Sequence, residues 1–461
     1  TASCRISCRA HYVTMSCLFT MLIVDFHDAT SYHSRTCVIG AGYSGLAAAR
    51  YLKQYGVNFT VFEASRHFGG TWRFDPHVGT DEDGIPVFTS MYKNLRTNTP
   101  RMTMEYGGYP FPEGTPSYPT GTCFYKYLKS FVKHFGFEEN IQFRSYVMSV
   151  KWANRHWELT YMNTADRANY TMPCDFVIVA SGQYIKPKMA SFPGMDTFRG
   201  KIIHSHDYKD PAHYEGRRVL LLGSGASGLD LAMHLSNVTA KLVHSHHKKY
   251  NEPYFSDRYV KKPDIKEFTP NGVIFEDGTF EEIDDAIFCT GYFYSHPFVD
   301  KSSGLTLSGK FVLPLYRHIV NIRHPSMTFL GVVNVVITKT MDAQAEYVAS
   351  LIAGKFKLPS QEDMLRSWLD HVHTLQVNNK KIVDVNTVGD DMDNYFANLT
   401  AEAGVARVPP IYKEIRDFNA VNRLDDLLNY RDYDYEVLSQ HDYKRFYVGG
   451  GQRSLQCPIE V

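Results

Sequence analysis

A chain of 461 residues is longer than one hydrophobic core usually supports, so at least two domains are expected. Its 44% apolar and 21% charged residues exclude wholesale disorder, and 49 basic against 49 acidic residues leave no net charge to gather a nucleic acid. Eight cysteines without a CxxC or zinc-finger spacing exclude a redox dithiol or structural metal. They do not read as a disulfide framework, and Cys37, Cys174 and Cys289, in apolar runs, read as small buried hydrophobes.

At the N-terminus, Arg5 and Arg9 precede a short apolar run (13–24) and the small residues Ala29 and Ser31, so residues 1–31 resemble a secretory leader. Secretion is therefore the expectation, with cytoplasmic residence as the alternative. No later segment is apolar enough to span a membrane.

The strand 36–39 runs into Gly40-Ala41-Gly42-Tyr43-Ser44-Gly45, followed by a helix over 46–52 and a strand over 58–62 that delivers Glu63. This is a dinucleotide fingerprint, with its acidic residue about 20 positions beyond the first glycine. The first Gly makes the tight turn, the second admits a pyrophosphate, and the third lets helix and strand pack closely. The helix N-terminus faces the phosphates, and Glu63 accepts from ribose hydroxyls. The Pro-rich stretch 109–119 reads as loop.

A second copy follows. Strand 218–222 leads into Gly223-Ser224-Gly225-Ala226-Ser227-Gly228, a helix over 229–235, and a strand 241–244 ending in Ser245-His246-His247-Lys248-Lys249. No carboxylate occupies the ribose position. His246 and Lys248 suit a 2′-phosphate, hence NADP(H); a solvated turn or a casual metal site stays open as an alternative. The runs 175–182 and 285–292 bracket this copy as two hinges. The tail beyond 358 carries no readable chemistry.

The expected fold is α/β with two dinucleotide-binding, Rossmann-like domains. A larger discontinuous FAD domain (34–206 and 297–461) would carry a smaller inserted NADP domain (207–296).

The run from Phe198 through Gly200 and His204 to Tyr208-Lys209 fits FxGxxxHxxxYK. With Gly69-Gly70-Thr71-Trp72, the segment 90–99, GxGxSG at 223–228 and Phe288-Cys289-Thr290-Gly291-Tyr292, it resembles the flavin-containing monooxygenases. The soluble insect branch, which includes pyrrolizidine-alkaloid N-oxygenases, is most similar, and the C-terminal hydrophobic anchor of the vertebrate microsomal enzymes has no counterpart in this sequence. The resemblance implies FAD on Gly40, Ala41, Gly42, Tyr43, Ser44, Gly45 and Glu63, with Gly70, Thr71 and Trp72 along the flavin. It places NADP(H) on Gly223, Gly225, Ser227, Gly228, Leu229 and Asp230. Thr97, Asn98 and Thr99 would lie between flavin and nicotinamide, with Asn98 the catalytic side chain.

The implied reaction reduces FAD with NADPH, forms a C4a-hydroperoxyflavin with O2 and passes oxygen to a tertiary amine. A sulfide substrate, or an uncoupled oxidase releasing H2O2, are the alternatives. A flavin disulfide reductase is disfavoured because Cys37, Cys123, Cys174 and Cys289 stand alone in sequence. His204 and Tyr208 read as structural rather than as an acid/base pair, and Lys209 as facing the phosphates or solvent. No metal, nucleic acid or membrane partner is expected; a homo-oligomer is compatible with the family.

Overall fold

The computed structural model describes residues 34–334, 336–449 and 456–460; the expected leader over 1–31 lies outside them. The first fingerprint forms strand β1 (Thr36–Ile39), helix α1 (Tyr43–Gln54) and strand β2 (Phe59–Phe62). Both strands pair in parallel with Thr36 opposite Phe59. They lie in a seven-stranded sheet whose order runs Leu315–Tyr316, Val320–Asn321, Met327–Phe329, Phe176–Val179, β1, β2, Ile141–Gln142. Its central strands read as unbroken apolar runs because helices and a second sheet cover both faces. Leu46, Ala47 and Leu52 of α1 pack on one side, with Phe124, Tyr127 and Phe131 of α2 (Gly121–Phe135) beyond them. Cys37, Phe62 and Val177 face the other side, against Trp157 and Leu159.

The second fingerprint forms Arg218–Leu222, helix α3 (Ala226–Leu235) and Lys241–Ser245. These belong to a separate, wholly parallel sheet in the order Tyr259–Lys262, Lys241–Ser245, Arg218–Leu222, Asp285–Phe288, Lys201–His204. The two runs read as hinges each contribute a strand to the interior of a sheet: Phe176–Val179 to the first, Asp285–Phe288 to the second. Just beyond them, Lys186–Pro187 and Tyr292–Phe293 pair antiparallel, so the two crossings of the chain run side by side. The edge strand Lys201–His204 lies upstream of residue 207, and Phe198 packs in the core of the second sheet. Sequence patterning misses this because Ile202 and Ile203 are only two apolar residues inside a motif.

The cysteines depart from expectation. Cys37 bonds Cys174 and Cys123 bonds Cys457, with Cα–Cα separations of 5.9 and 5.4 Å. Among the described residues only Cys289 is free. The partners are 137 and 334 residues apart, so no local spacing announces them. Cys37, Cys174 and Cys123 are buried, and none of the four bonded cysteines lines the cavity described below, so the correction does not revive a disulfide reductase. Burial pushes the Cys289 thiol up to about 12, which leaves it a poor nucleophile. Among the described residues no helix is long and apolar enough to cross a membrane.

Candidate functional site

Each fingerprint builds the same turn. Gly40 and Gly223 sit at φ +100° and +96°, in the left-handed region, and a Cβ there would meet the carbonyl oxygens of Ala180 at 2.7 Å and Cys289 at 2.9 Å. A Cβ on Gly45 would lie 1.8 Å from the Gly40 carbonyl oxygen, and one on Gly228 lies 1.9 Å from that of Gly223. The middle glycines differ. In front of Gly225 a Cβ would meet nothing within 4 Å, whereas Gly42 faces Gly70. Helices α1 and α3 both begin without a side-chain cap and without an acidic residue in the first turn. Their first N–H groups are left for an external anion, which fits the pyrophosphates of two dinucleotides.

Glu63 ends β2 as expected, but its carboxylate accepts the N–H of Ala41 and of Ser65, each at 2.9 Å. Burial pushes this carboxyl up, and those N–H groups work against the shift. Glu63 therefore braces the glycine turn, with lone pairs to spare on its carboxylate oxygens. The Gly69-Gly70-Thr71-Trp72 turn docks on that loop through Gly69 N to the Ala41 oxygen at 2.8 Å, and Trp72 stacks on Phe124 at 4.0 Å.

A cavity of about 150 Å³ gathers residues from six stretches of sequence, Ser205 and Tyr292 each standing alone. Thr71 and Trp72, Thr97 and Asn98, and Ser227, Leu229 and Asp230 all line it, whereas Gly70, Thr99 and Gly228 do not. Asn98 is half-buried, and among the described residues none bonds its side-chain amide, which is free to donate to a bound group. The Thr97 hydroxyl is buried with no partner, an orphan of the kind a bound ligand satisfies.

Asp230 is held by protein partners. Its carboxylate accepts from the Tyr92 hydroxyl and pairs with Arg431 at 2.7 Å. Burial opposes its ionisation, yet Arg431, His234 and Tyr92 hold the carboxyl below the usual range. Burial, then Asp230, pushes the Tyr92 phenol well up, so it stays a donor.

The basic cluster is divided. His246 reaches a different pocket, with His247, Lys261 and Lys262. There Glu252 takes up Lys261 and contacts His246, whose imidazole is held below its ordinary value by burial, and Glu281 takes up Lys262 at 3.1 Å. Much of that positive charge is neutralised by carboxylates that adjacent-residue reading did not include. Lys248 is half-buried and makes no ion pair among the described residues; burial, then Arg423, lowers its amine. Arg423 lines the cavity with its Nε buried and unpartnered. Lys209 neither faces solvent nor lines the cavity: it is buried, and its Nζ donates to the Thr89 oxygen at 3.1 Å. His204 and Tyr208 are buried, the imidazole Nδ1 accepting from His206 N at 3.1 Å.

What sequence reading missed is the tail. The helix Ile411–Asp425 and the residues after it pack Ile411, Ile415 and Leu427 against Leu229 and Leu231, and bring Arg423, Leu427, Tyr430 and Arg431 into the cavity wall. The only signal available was a helix-like apolar spacing with no motif attached. Elsewhere, Asp75, His77 and Glu82 bring ligand atoms within 4.8 Å of one another, but Arg73 already pairs with Asp75 at 3.0 Å.

A family model described as flavin-binding monooxygenase-like matches residues 33–250 and 256–411. Senecionine N-oxygenase of Tyria jacobaeae is 50% identical over 97% of this chain and 99% of its own length. Trimethylamine monooxygenase of Roseovarius is 30% identical over 73% of this chain and 79% of its own. The solved S-allyl-L-cysteine S-oxygenase of Allium sativum superposes with a TM-score of 0.79 at 26% identity, covering 86% of this chain and 94% of that one.

Proposed function

The chain belongs to the flavin-binding monooxygenase-like family, and on that premise we propose that it uses FAD, NADPH and O2 to N-oxygenate tertiary-amine alkaloids. The observation that carries this reading is one cavity in which Trp72 and Asn98, from loops of the first sheet, meet Ser227 of the second fingerprint. The 50% identical senecionine N-oxygenase supports the alkaloid as substrate class.

Gly40, Gly42 and Gly45 with the uncapped start of α1 hold the FAD pyrophosphate. Gly223, Gly225 and Gly228 with the start of α3 hold that of NADP(H). FAD held there would supply the redox and O2 chemistry that side chains cannot. The protein's own part is to bind, orient and exclude water. The Asn98 amide offers a fixed donor at the cavity wall, and Trp72, Leu229 and Tyr430 contribute apolar surface to that wall. Lys248 and Arg423, two cations without an acidic partner among the described residues, support a phosphorylated nucleotide.

The same reading covers organisation and location. The FAD unit is discontinuous, and the NADP unit is inserted between the paired crossings Lys186–Pro187 and Tyr292–Phe293. Secretion is supported by two disulfides, which persist in oxidising compartments. A non-reducing peptide map of protein from the native source tests this: free thiols at Cys37 and Cys123 would remove that support.

Turnover of the purified holoprotein with a pyrrolizidine alkaloid, trimethylamine and a thioether, counting product per NADPH, tests the function. Nearly stoichiometric N-oxide is expected. A strong preference for the thioether would favour an S-oxygenase, the activity of the Allium relative. Stoichiometric H2O2 with every substrate would make the protein an oxidase.

A further inference from the structure

The tail that sequence patterning leaves without chemistry ends up holding the loop that carries Asn98. The Arg431 guanidinium makes three separate contacts: Nε donates to the Thr97 oxygen at 3.0 Å, Nη2 to the Arg96 oxygen at 3.1 Å, and Nη1 pairs with Asp230 of α3 at 2.7 Å. Arg96 returns a bond from its own Nη2 to the Arg431 oxygen at 3.2 Å. One helical turn away from the cavity wall, Asn419 donates Nδ2 to the Asn98 oxygen at 2.9 Å and accepts the Tyr118 hydroxyl at 2.6 Å. Asn419 is buried, and the side chains of Arg431 and Asp230 are 10% and 8% exposed.

We infer that Arg431 is a positioning residue for the oxygenation, with Asn419 its partner: together they clamp the Thr97-Asn98 backbone, and Arg431 locks that loop to α3, the helix whose N-terminus faces the nicotinamide dinucleotide. Their role presupposes the NADPH-dependent reading above. The planar guanidinium has the donors to span two carbonyls and a carboxylate at once, which a point-charge ammonium lacks. Removing it strands the buried Asp230 carboxylate with Tyr92 as its remaining short-range donor. Both residues lie beyond residue 411, where the match to the family model ends, so the clamp is a property of this chain's tail. It spaces Asn98 from α3 through the side chains of Arg431 and Asn419, which hold the backbone carbonyls of residues 96–98 and the Asp230 carboxylate. A displaced loop leaves the site assembled but loose, and a displacement of that size is costly for a reaction that depends on excluding water.

Holoproteins carrying Arg431→Met, Arg431→Lys and Asn419→Ala are compared with the wild type for flavin content, NADP+ Kd and the fraction of consumed NADPH that appears as H2O2. Arg431→Met keeps FAD, weakens NADP+ by about tenfold and raises the peroxide fraction several-fold. Arg431→Lys recovers part of the NADP+ affinity by pairing with Asp230 but not the coupling, since it cannot also hold both carbonyls. Asn419→Ala raises peroxide with little change in NADP+ affinity. Wild-type Kd and coupling in Arg431→Met overturn the clamp. If that variant does not accumulate as holoprotein, Asn419→Ala decides: raised peroxide supports the clamp, and wild-type coupling overturns it. Should the wild type itself release stoichiometric peroxide, the N-oxygenase reading fails while the clamp is still judged on NADP+ affinity.

Discussion

Asn98 divides its two polar ends between two tasks. The backbone carbonyl is taken by Asn419, and the side-chain amide is left to the cavity. Removing the side chain alone therefore leaves the tail contact in place. Asn98→Ala is expected to retain FAD and to lower N-oxide formation on the order of 10²-fold, the usual loss for one preorganised donor, while NADPH oxidation continues as peroxide release. The measurement is peroxide and N-oxide per NADPH; coupling equal to the wild type would remove Asn98 from the reaction. Neighbouring Thr97 contributes differently, through a carbonyl held by Arg431 and a buried hydroxyl with no protein partner. Lys209 shows how residue type misleads. A lysine closing a fingerprint motif suggests a phosphate contact, yet burial and the Thr89 carbonyl make it a staple inside the protein, and burial lowers its amine.

At the level of elements, the two glycine turns separate packing from binding. Gly228 touches the Gly223 carbonyl so closely that a methyl group cannot fit, whereas Gly225 has ordinary backbone angles and open space before it. Gly228→Ala should cost about 1–3 kcal/mol or more, as overpacking against backbone does, and lower the Tm. Gly225→Ala should keep the Tm of the wild type and weaken NADP+ by about tenfold, because its methyl group fills the dinucleotide's approach. Thermal melts and NADP+ titrations of the two variants check this. Equal losses of affinity and stability in both would contradict the division. The tail helix Ile411–Asp425 is the opposite kind of element. Its apolar face, Ile411 and Ile415, is legible as helix spacing, but its polar residue Asn419 gains meaning only from the loop it meets.

Across the whole molecule, buried imidazoles make stability depend on pH. Burial depresses His204, His244 and His296 to about 4 and, with His371 and Arg317 adding to it, His318 to about 3. These groups bind protons more readily unfolded, near pH 6.5, than folded. Their contribution is fully present above the unfolded value and is lost as pH falls from about 6.5 toward 4. The expected cost is about 1.4 kcal/mol per histidine for each pH unit in that window, so the Tm should fall between pH 7.5 and pH 5.5. A Tm flat across that range would show that these histidines are solvated. The sequence by itself determined both glycine turns, the strands and helices that frame them, and the family, because those features rest on local sterics and fixed spacing. Asn98 was legible only through family resemblance, since an Asn between threonines otherwise reads as a turn. Tertiary structure alone decided the Cys37–Cys174 and Cys123–Cys457 pairs, the carboxylates that neutralise the His246 cluster, and the reach of Arg431 into the site. Each of these joins residues far apart in the chain, where the deciding quantity is distance in space and burial rather than any local pattern.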